Sequence, residues 1–209
     1  MMLPVLAAAL GVAAGVPLIR CLWCLVGLIR LFPNHARAHR SKWGWLQLAI
    51  APEAYVLSAA AVALGMQRDA ALANASLVAL TCALAGAAAA LAGLAASLWT
   101  FVTFPTIGTG HYVANGQNVI SQGPYGWVRH PTYLGVLLMW FGLGLAYRDV
   151  FVLALAAGVG ALYALYARSE ERMMLAAFGD AYSSYRSCVG SFLPKSLRPF
   201  QARATTRPQ

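Results

Sequence analysis

Long apolar runs dominate this sequence and leave it few ways to fold in water. Residues 3–32, 46–66, 71–104, 131–147 and 150–168 hold few charges, and short polar turns join several of them. About 20 helical residues cross the hydrocarbon core of a bilayer. In that medium the backbone must satisfy its own hydrogen bonds, so such runs are expected as helices. The chain is 60% hydrophobic and 10% charged, where a soluble domain carries roughly a quarter charged residues. The sequence therefore predicts an all-α, polytopic membrane helical bundle of about five transmembrane helices. The first run contains Pro17 and Arg20 and reads as one kinked or tilted helix. Arg20 either snorkels or faces a polar interior. Glu53 lies near the start of the second run. The third run is rich in Ala and Gly between Gly86 and Gly93, which suits close helix packing.

A net charge of +9 would suggest a nucleic-acid partner in a soluble protein. The placement of the charge argues against one. With the N-terminus outside, the inner segments hold 12 of the 15 Lys and Arg, and the outer turns hold only Arg68 and Arg148. That asymmetry is the positive-inside pattern. It predicts a cytoplasmic C-terminus; the protein is expected in the bacterial inner membrane. It also brings the polar segment 106–129 and the C-terminal tail to one cytoplasmic face. The N-terminus has no basic stretch before its apolar run, so no cleaved leader is expected. Cys21 and Cys24 form a C-x-x-C inside an apolar run with no second pair, and read as packing residues; no metal site is expected.

Two polar clusters hold most of the reactive side chains. The first is Gly123-Pro-Tyr-Gly-Trp-Val-Arg-His-Pro-Thr-Tyr-Leu-Gly135. Pro131 suits the first turn of a helix, which puts His130 near the N-cap. The free N–H groups of such a turn favour an anion, and Arg129 adds a permanent charge. Taken alone, an interfacial belt of Tyr, Trp and Arg accounts for this cluster equally well. The second cluster is Arg168-Ser-Glu-Glu-Arg172, followed by Phe178-Gly179 and Leu193-Pro194. Neighbouring Glu170 and Glu171 point about 100° apart on a helix, so at most one faces a given pocket. Alone, these charges suit a solvated helix end.

Together and in this order, the clusters resemble the isoprenylcysteine carboxyl methyltransferase and phospholipid methyltransferase superfamily. The matching residues are Gly123-Pro124-Tyr125, Arg129-His130-Pro131, Tyr133, Gly135, Glu170-Glu171, Phe178-Gly179, Tyr182, Tyr185 and Leu193-Pro194. The resemblance implies three units: N-terminal membrane helices in 1–104, a methyltransferase core in 105–195 and a basic tail in 196–209. It implies S-adenosylmethionine as cofactor, in a cytoplasm-facing pocket. The chain has no soluble dinucleotide fingerprint, because Gly108-Thr-Gly110-His-Tyr-Val lacks the third Gly.

On this reading His130, Pro131 and Thr132 hold the cofactor carboxylate, and Glu170 takes its ammonium or ribose. Tyr125 and Tyr133 offer hydroxyls and π-faces to the sulfonium, and Gln117, Asn118, Val119 and Ile120 line the adenosine side. Arg129 and Glu171 are the expected catalytic pair. Arg129 meets an acidic acceptor or the cofactor carboxylate, and Glu171 or Glu170 takes a proton from an amine acceptor. A carboxylate or thiolate acceptor needs no base. The acceptor is expected to be a small lipophilic molecule or membrane lipid that enters sideways from the bilayer. Two positions depart from the eukaryotic prenylcysteine enzymes: Tyr166 stands where they carry an Arg, and Gln117 where a His opens the segment. These departures point away from a prenylcysteine acceptor.

Two other readings compete. Membrane sterol reductases share a late Arg-His-Pro-x-Tyr-x-Gly segment and bind NADPH, but the paired Glu followed by Phe-Gly favours the methyltransferase. A non-enzymatic assembly or transport component would bind neither cofactor.

Overall fold

The computed structural model describes residues 1–30, 37–40, 52–104, 112–114 and 117–200. The start of the second apolar run (46–51), most of the basic loop 33–45, residues 105–111 and the tail 201–209, expected to be disordered, lie outside them.

The described chain is predominantly helical. α1 (Met2–Arg30) is a single helix with Pro17 inside it. α2 (Glu53–Met66) and α5 (Pro131–Tyr147) are shorter apolar helices. α4 (Leu77–Thr103) and α6 (Val150–Phe178) are long. Three segments are long and apolar enough to cross a membrane: Met2–Trp23, Leu77–Thr103 and Val150–Phe178. Large apolar side chains such as Leu91, Val102, Phe151 and Leu165 are exposed on them. A water-soluble monomer rarely presents apolar surface on that scale, and the chain is an integral membrane protein. A two-stranded antiparallel ladder joins β1 (Arg37–Arg40) to β2 (Tyr112–Ala114).

One expectation is corrected. The turn placed at 67–70 is a short helix, α3 (Arg68–Ala73), and the third long helix starts at Leu77 rather than at 71. The cause is Ser76, whose hydroxyl accepts from the Ala79 N–H and caps a new helix. A C-terminal helix, α7 (Asp180–Cys188), follows and buries Tyr182 and Tyr185 on one face. The hairpin of α5 and α6 agrees with the sequence reading. Asp149 caps α6 by accepting from Val152 N–H at 2.9 Å, and Gly179 ends it at φ 53°.

α4 and α5 make the most extensive packing. Small residues set their separation. A Cβ on Gly93 would lie 2.4 Å from Gly135 O, and one on Gly86 would lie 2.4 Å from Gly142 O. The seam fixes where α5 begins, and α5 carries His130 and Tyr133 at its start. Gly93→Val is therefore expected to destabilise the protein by about 1–3 kcal/mol. Gly158 has nothing within 4 Å of its would-be Cβ, so Gly158→Val should leave stability near that of the parent. Thermal unfolding in detergent micelles compares the two; equal losses would contradict the seam.

Candidate active site

The hairpin turns the first residues of α5 toward the last turns of α6. His130 occupies the N-cap position and Pro131 opens the helix. Leu134 N–H donates to His130 O at 3.1 Å. The N–H of Thr132 precedes this first intrahelical bond, as in any helix start. Glu170 and Glu171 are both buried, on the facing side of α6.

The two carboxylates have different surroundings. Glu171 Oε1 accepts from Arg129 Nη2 at 2.7 Å and Nε at 2.9 Å, and lies 3.1 Å from His130 Nε2. Ser191 Oγ donates to the same oxygen at 3.3 Å, and Arg186 Nε lies 3.2 Å from Oε2. Arg129 also donates to the carbonyls of Val189 and Arg186. Glu170 Oε2 accepts from Tyr133 OH at 2.9 Å and lies 3.4 Å from His130 Nδ1. His130 thus bridges both acids, one through each ring nitrogen.

The segment after α7 closes over these groups. Arg129 N–H donates to Gly190 O at 2.8 Å, and His130 N–H to Ser191 O at 3.1 Å. Phe200 N–H reaches Gly126 O at 2.8 Å. A Cβ on Gly190 would lie 1.8 Å from Leu193 O, so this turn closes tightly only on glycine. Tyr185 OH donates to Tyr125 O at 2.7 Å and ties α7 to the Gly123–Gly126 turn.

Burial of His130 works against its charged form, but hydrogen bonds and charge from Glu170 and Glu171 outweigh it and raise its pKa above the ordinary imidazole range. An imidazolium donates from both nitrogens, which suits two carboxylate neighbours. A raised folded-state pKa gives stability that is full below the unfolded value of about 6.5 and is lost as pH rises through the folded value. Melting temperature is therefore expected to fall across that window in the parent and to flatten in His130→Gln. Parallel pH profiles of the two proteins would contradict the assignment. Burial, helped by Glu170, pushes the Tyr125 phenol up to about 12, so it stays a neutral donor at physiological pH.

A cavity of about 240 Å³ opens beside these residues. Its lining includes Gln117, Asn118, Val119, Ile120, Tyr125, Arg129, His130, Pro131, Thr132, Tyr133 and Glu170. Glu171 is not among the lining residues. Of the two acids one faces the cavity and the other anchors Arg129, as their angular separation on a helix requires. Tyr133 lines the cavity but stacks on His130 at 5.5 Å and on Tyr163 at 4.6 Å. Its ring is engaged in this packing and its hydroxyl in holding Glu170, in place of the open π-face expected for a sulfonium. Tyr166 is buried and meets Tyr133 edge-on at 6.0 Å.

Sequence reasoning missed the far wall of the cavity. Arg20, Trp23, Leu94, Ser97 and Phe101 line it from α1 and α4, and Met174 and Phe178 from α6. The available signal was Arg20, a charge placed inside an apolar run.

Residues 81–181 match the family model for phospholipid methyltransferases. This part of the chain is thus similar to the phospholipid methyltransferases. The matched span takes in the α4–α5 seam, both hairpin helices and the start of α7. An 89-residue stretch is also 29% identical to the protein-S-isoprenylcysteine O-methyltransferase of Schizosaccharomyces pombe, over 40% of this chain and 38% of that protein. The chain thus matches well under two thirds of that relative's length. No solved structure matches the chain. The phospholipid methyltransferase match covers both site segments, Arg129–Tyr133 and Glu170–Glu171.

Proposed function

We propose that the protein is a membrane methyltransferase that uses S-adenosylmethionine and acts on a lipophilic or membrane-associated acceptor. The observation that carries this reading is the single cavity wall on which Glu170, Tyr125 and the start of α5 meet, inside the segment that matches the phospholipid methyltransferases.

The residues suit the cofactor's charges. The unpaired N–H groups at the start of α5 suit a carboxylate. Glu170 supports an ammonium or a ribose hydroxyl: among the described residues, its contacts with Tyr133 and His130 both fall on Oε2. Gln117–Ile120 supply the adenosine wall. When bound, S-adenosylmethionine would supply a methyl carbon activated by its sulfonium, with a neutral thioether as the leaving group. The protein's share is alignment and exclusion of water more than proton transfer. Glu171 suits positioning better than base catalysis, because Arg129, His130, Ser191 and Arg186 already engage its oxygens. An amine acceptor would then lose its proton to Glu170.

The membrane geometry is part of the proposal. Five crossings with the N-terminus outside, α2 and α5 being the short ones, put the ends of α1, α4 and α6 and the starts of α2 and α5 on one face. That face carries the excess of Lys and Arg and is read as the cytoplasmic one.

Calorimetry with S-adenosylmethionine and, separately, NADPH tests the cofactor. Saturable binding of S-adenosylmethionine is expected; binding of NADPH alone would favour a reductase, and binding of neither a non-enzymatic role. Incubation of the purified protein with labelled S-adenosylmethionine and membrane lipid extract should move label into the organic phase.

A further inference from the structure

The cavity is also lined by residues of α1 and α4 to which the proposed function assigns no role. α4 contributes Leu94, Leu98 and Phe101, and α1 contributes Arg20 and Trp23. These spacings place each set on one helical face. Trp23 meets Phe101 edge-on at 5.0 Å. Both helices are long and apolar enough to cross a membrane. From Leu94 to Phe101 the wall runs about 10 Å along the α4 axis. It is apolar apart from Arg20 and the hydroxyls of Ser97 and Thr100, the latter of which donates to Ala96 O at 2.8 Å.

Arg20 is the anomaly. Its side chain is only 12% exposed, and its ion pair with Glu53 uses one nitrogen, Nη2 to Oε1 at 3.2 Å. Its Nε is buried with no hydrogen-bond partner among the described residues. A guanidinium carries five N–H donors in a planar fork, so this contact, the one found among the described residues, leaves the buried Nε unsatisfied. Joining α1 to α2 does not require a charge, since apolar packing of similar volume holds helices at least as well as a buried ion pair. A charge held within a membrane helix and facing a cavity is the usual mark of a substrate path. Glu53 also hydrogen-bonds with Tyr163 of α6. The carboxylate is therefore fixed from two sides and orients the guanidinium.

We propose that Arg20, positioned by Glu53, selects the acceptor: it binds an anionic oxygen of an amphiphile whose chain lies along Trp23, Leu94, Leu98 and Phe101. The inference rests on the methyltransferase reading of the same cavity. The anionic oxygen belongs to a carboxylate or to a phosphate headgroup, which share this chemistry.

The test is equilibrium binding of the fluorescent fatty acid cis-parinarate, and of its neutral methyl ester, to the full-length protein in non-ionic detergent. The acid is expected to bind at least about tenfold tighter than the ester, the size of one charge-assisted hydrogen bond. Arg20→Gln should abolish that preference and Arg20→Lys should keep most of it. Competition by oleate but not phosphatidic acid assigns a carboxylate, and the reverse assigns a phosphate. Equal binding of acid and ester by the parent protein overturns the proposal without any variant, as does a preference that survives in Arg20→Gln. S-adenosylmethionine binding is measured on the same samples. Its absence in the parent would refute the methyltransferase reading while leaving the acid–ester comparison valid; its presence in Arg20→Gln shows that the variant is folded.

Discussion

Arg129→Ala is expected to cost about 3–5 kcal/mol of stability, because it leaves the buried Glu171 carboxylate without its main counter-charge. Both side chains of this pair are only 8% exposed. The loss is not confined to the pair. Arg129 also holds the carbonyls of Arg186 and Val189, so the segment after α7 loses its anchor at the same time. Glu171→Gln should cost less, since an amide oxygen still accepts from Arg129 and Ser191 while the charge is gone. The double variant Arg129→Met with Glu171→Met should recover part of the loss, because two apolar side chains leave no orphan charge. It should not recover all of it, because the Val189 and Arg186 carbonyls lose the Arg129 donor, and Arg186 O keeps only Lys195 Nζ among the described residues. Thermal unfolding and gel filtration in detergent measure this series. A stable, monodisperse Arg129→Ala protein would show that the ion pair does not hold the site together.

Glu170→Gln should separate binding from folding. The amide keeps an acceptor for Tyr133 and His130, so the fold is expected to persist. The negative charge facing the cavity is lost. Affinity for S-adenosylmethionine should fall on the order of 10- to 100-fold, the range of one charged hydrogen bond. Calorimetry reads the change directly. Unchanged affinity with lost turnover would instead place Glu170 at the acceptor, as a base. Unchanged affinity and unchanged turnover would remove it from the site.

The helices were legible in the sequence to the extent that their signals were local. The hairpin followed from two apolar runs parted by Arg148 and Asp149, and its far end from Gly179. The break before α4 was missed because Asn74-Ala75-Ser76 interrupts a long alanine-rich stretch with only three residues, and its signal is a single capping hydroxyl. The bounds of α7 were not legible because it spans only nine residues and hides its apolar face in two tyrosines of a polar segment. In the candidate site, the order of motifs was enough to group Arg129, His130, Tyr133, Glu170 and Glu171. Their division of labour was not readable. Which of two adjacent acids faces a cavity depends on helix rotation, and the helix is fixed by packing against distant residues. The pairing of Arg20 with Glu53 joins positions 33 apart across two helices and has no local signature.

The strap that runs from Gly190 to Phe200 carries a consequence for how the molecule is made. Its Gly190 and Ser191 carbonyls accept from the backbone N–H groups of Arg129 and His130, residues synthesised some 60 positions earlier. The apolar helices can insert into the bilayer in order as they emerge, since domains mature from the N-terminus during synthesis. The groups at the head of α5 have no such freedom. Until residues 190–200 leave the ribosome the backbone N–H groups of Arg129 and His130 lack these acceptors, so the nascent protein is a membrane-inserted bundle with an unfinished candidate site. Assembly and competence are thereby separated in time, and a chain that stops before residue 190 would be inserted and inert.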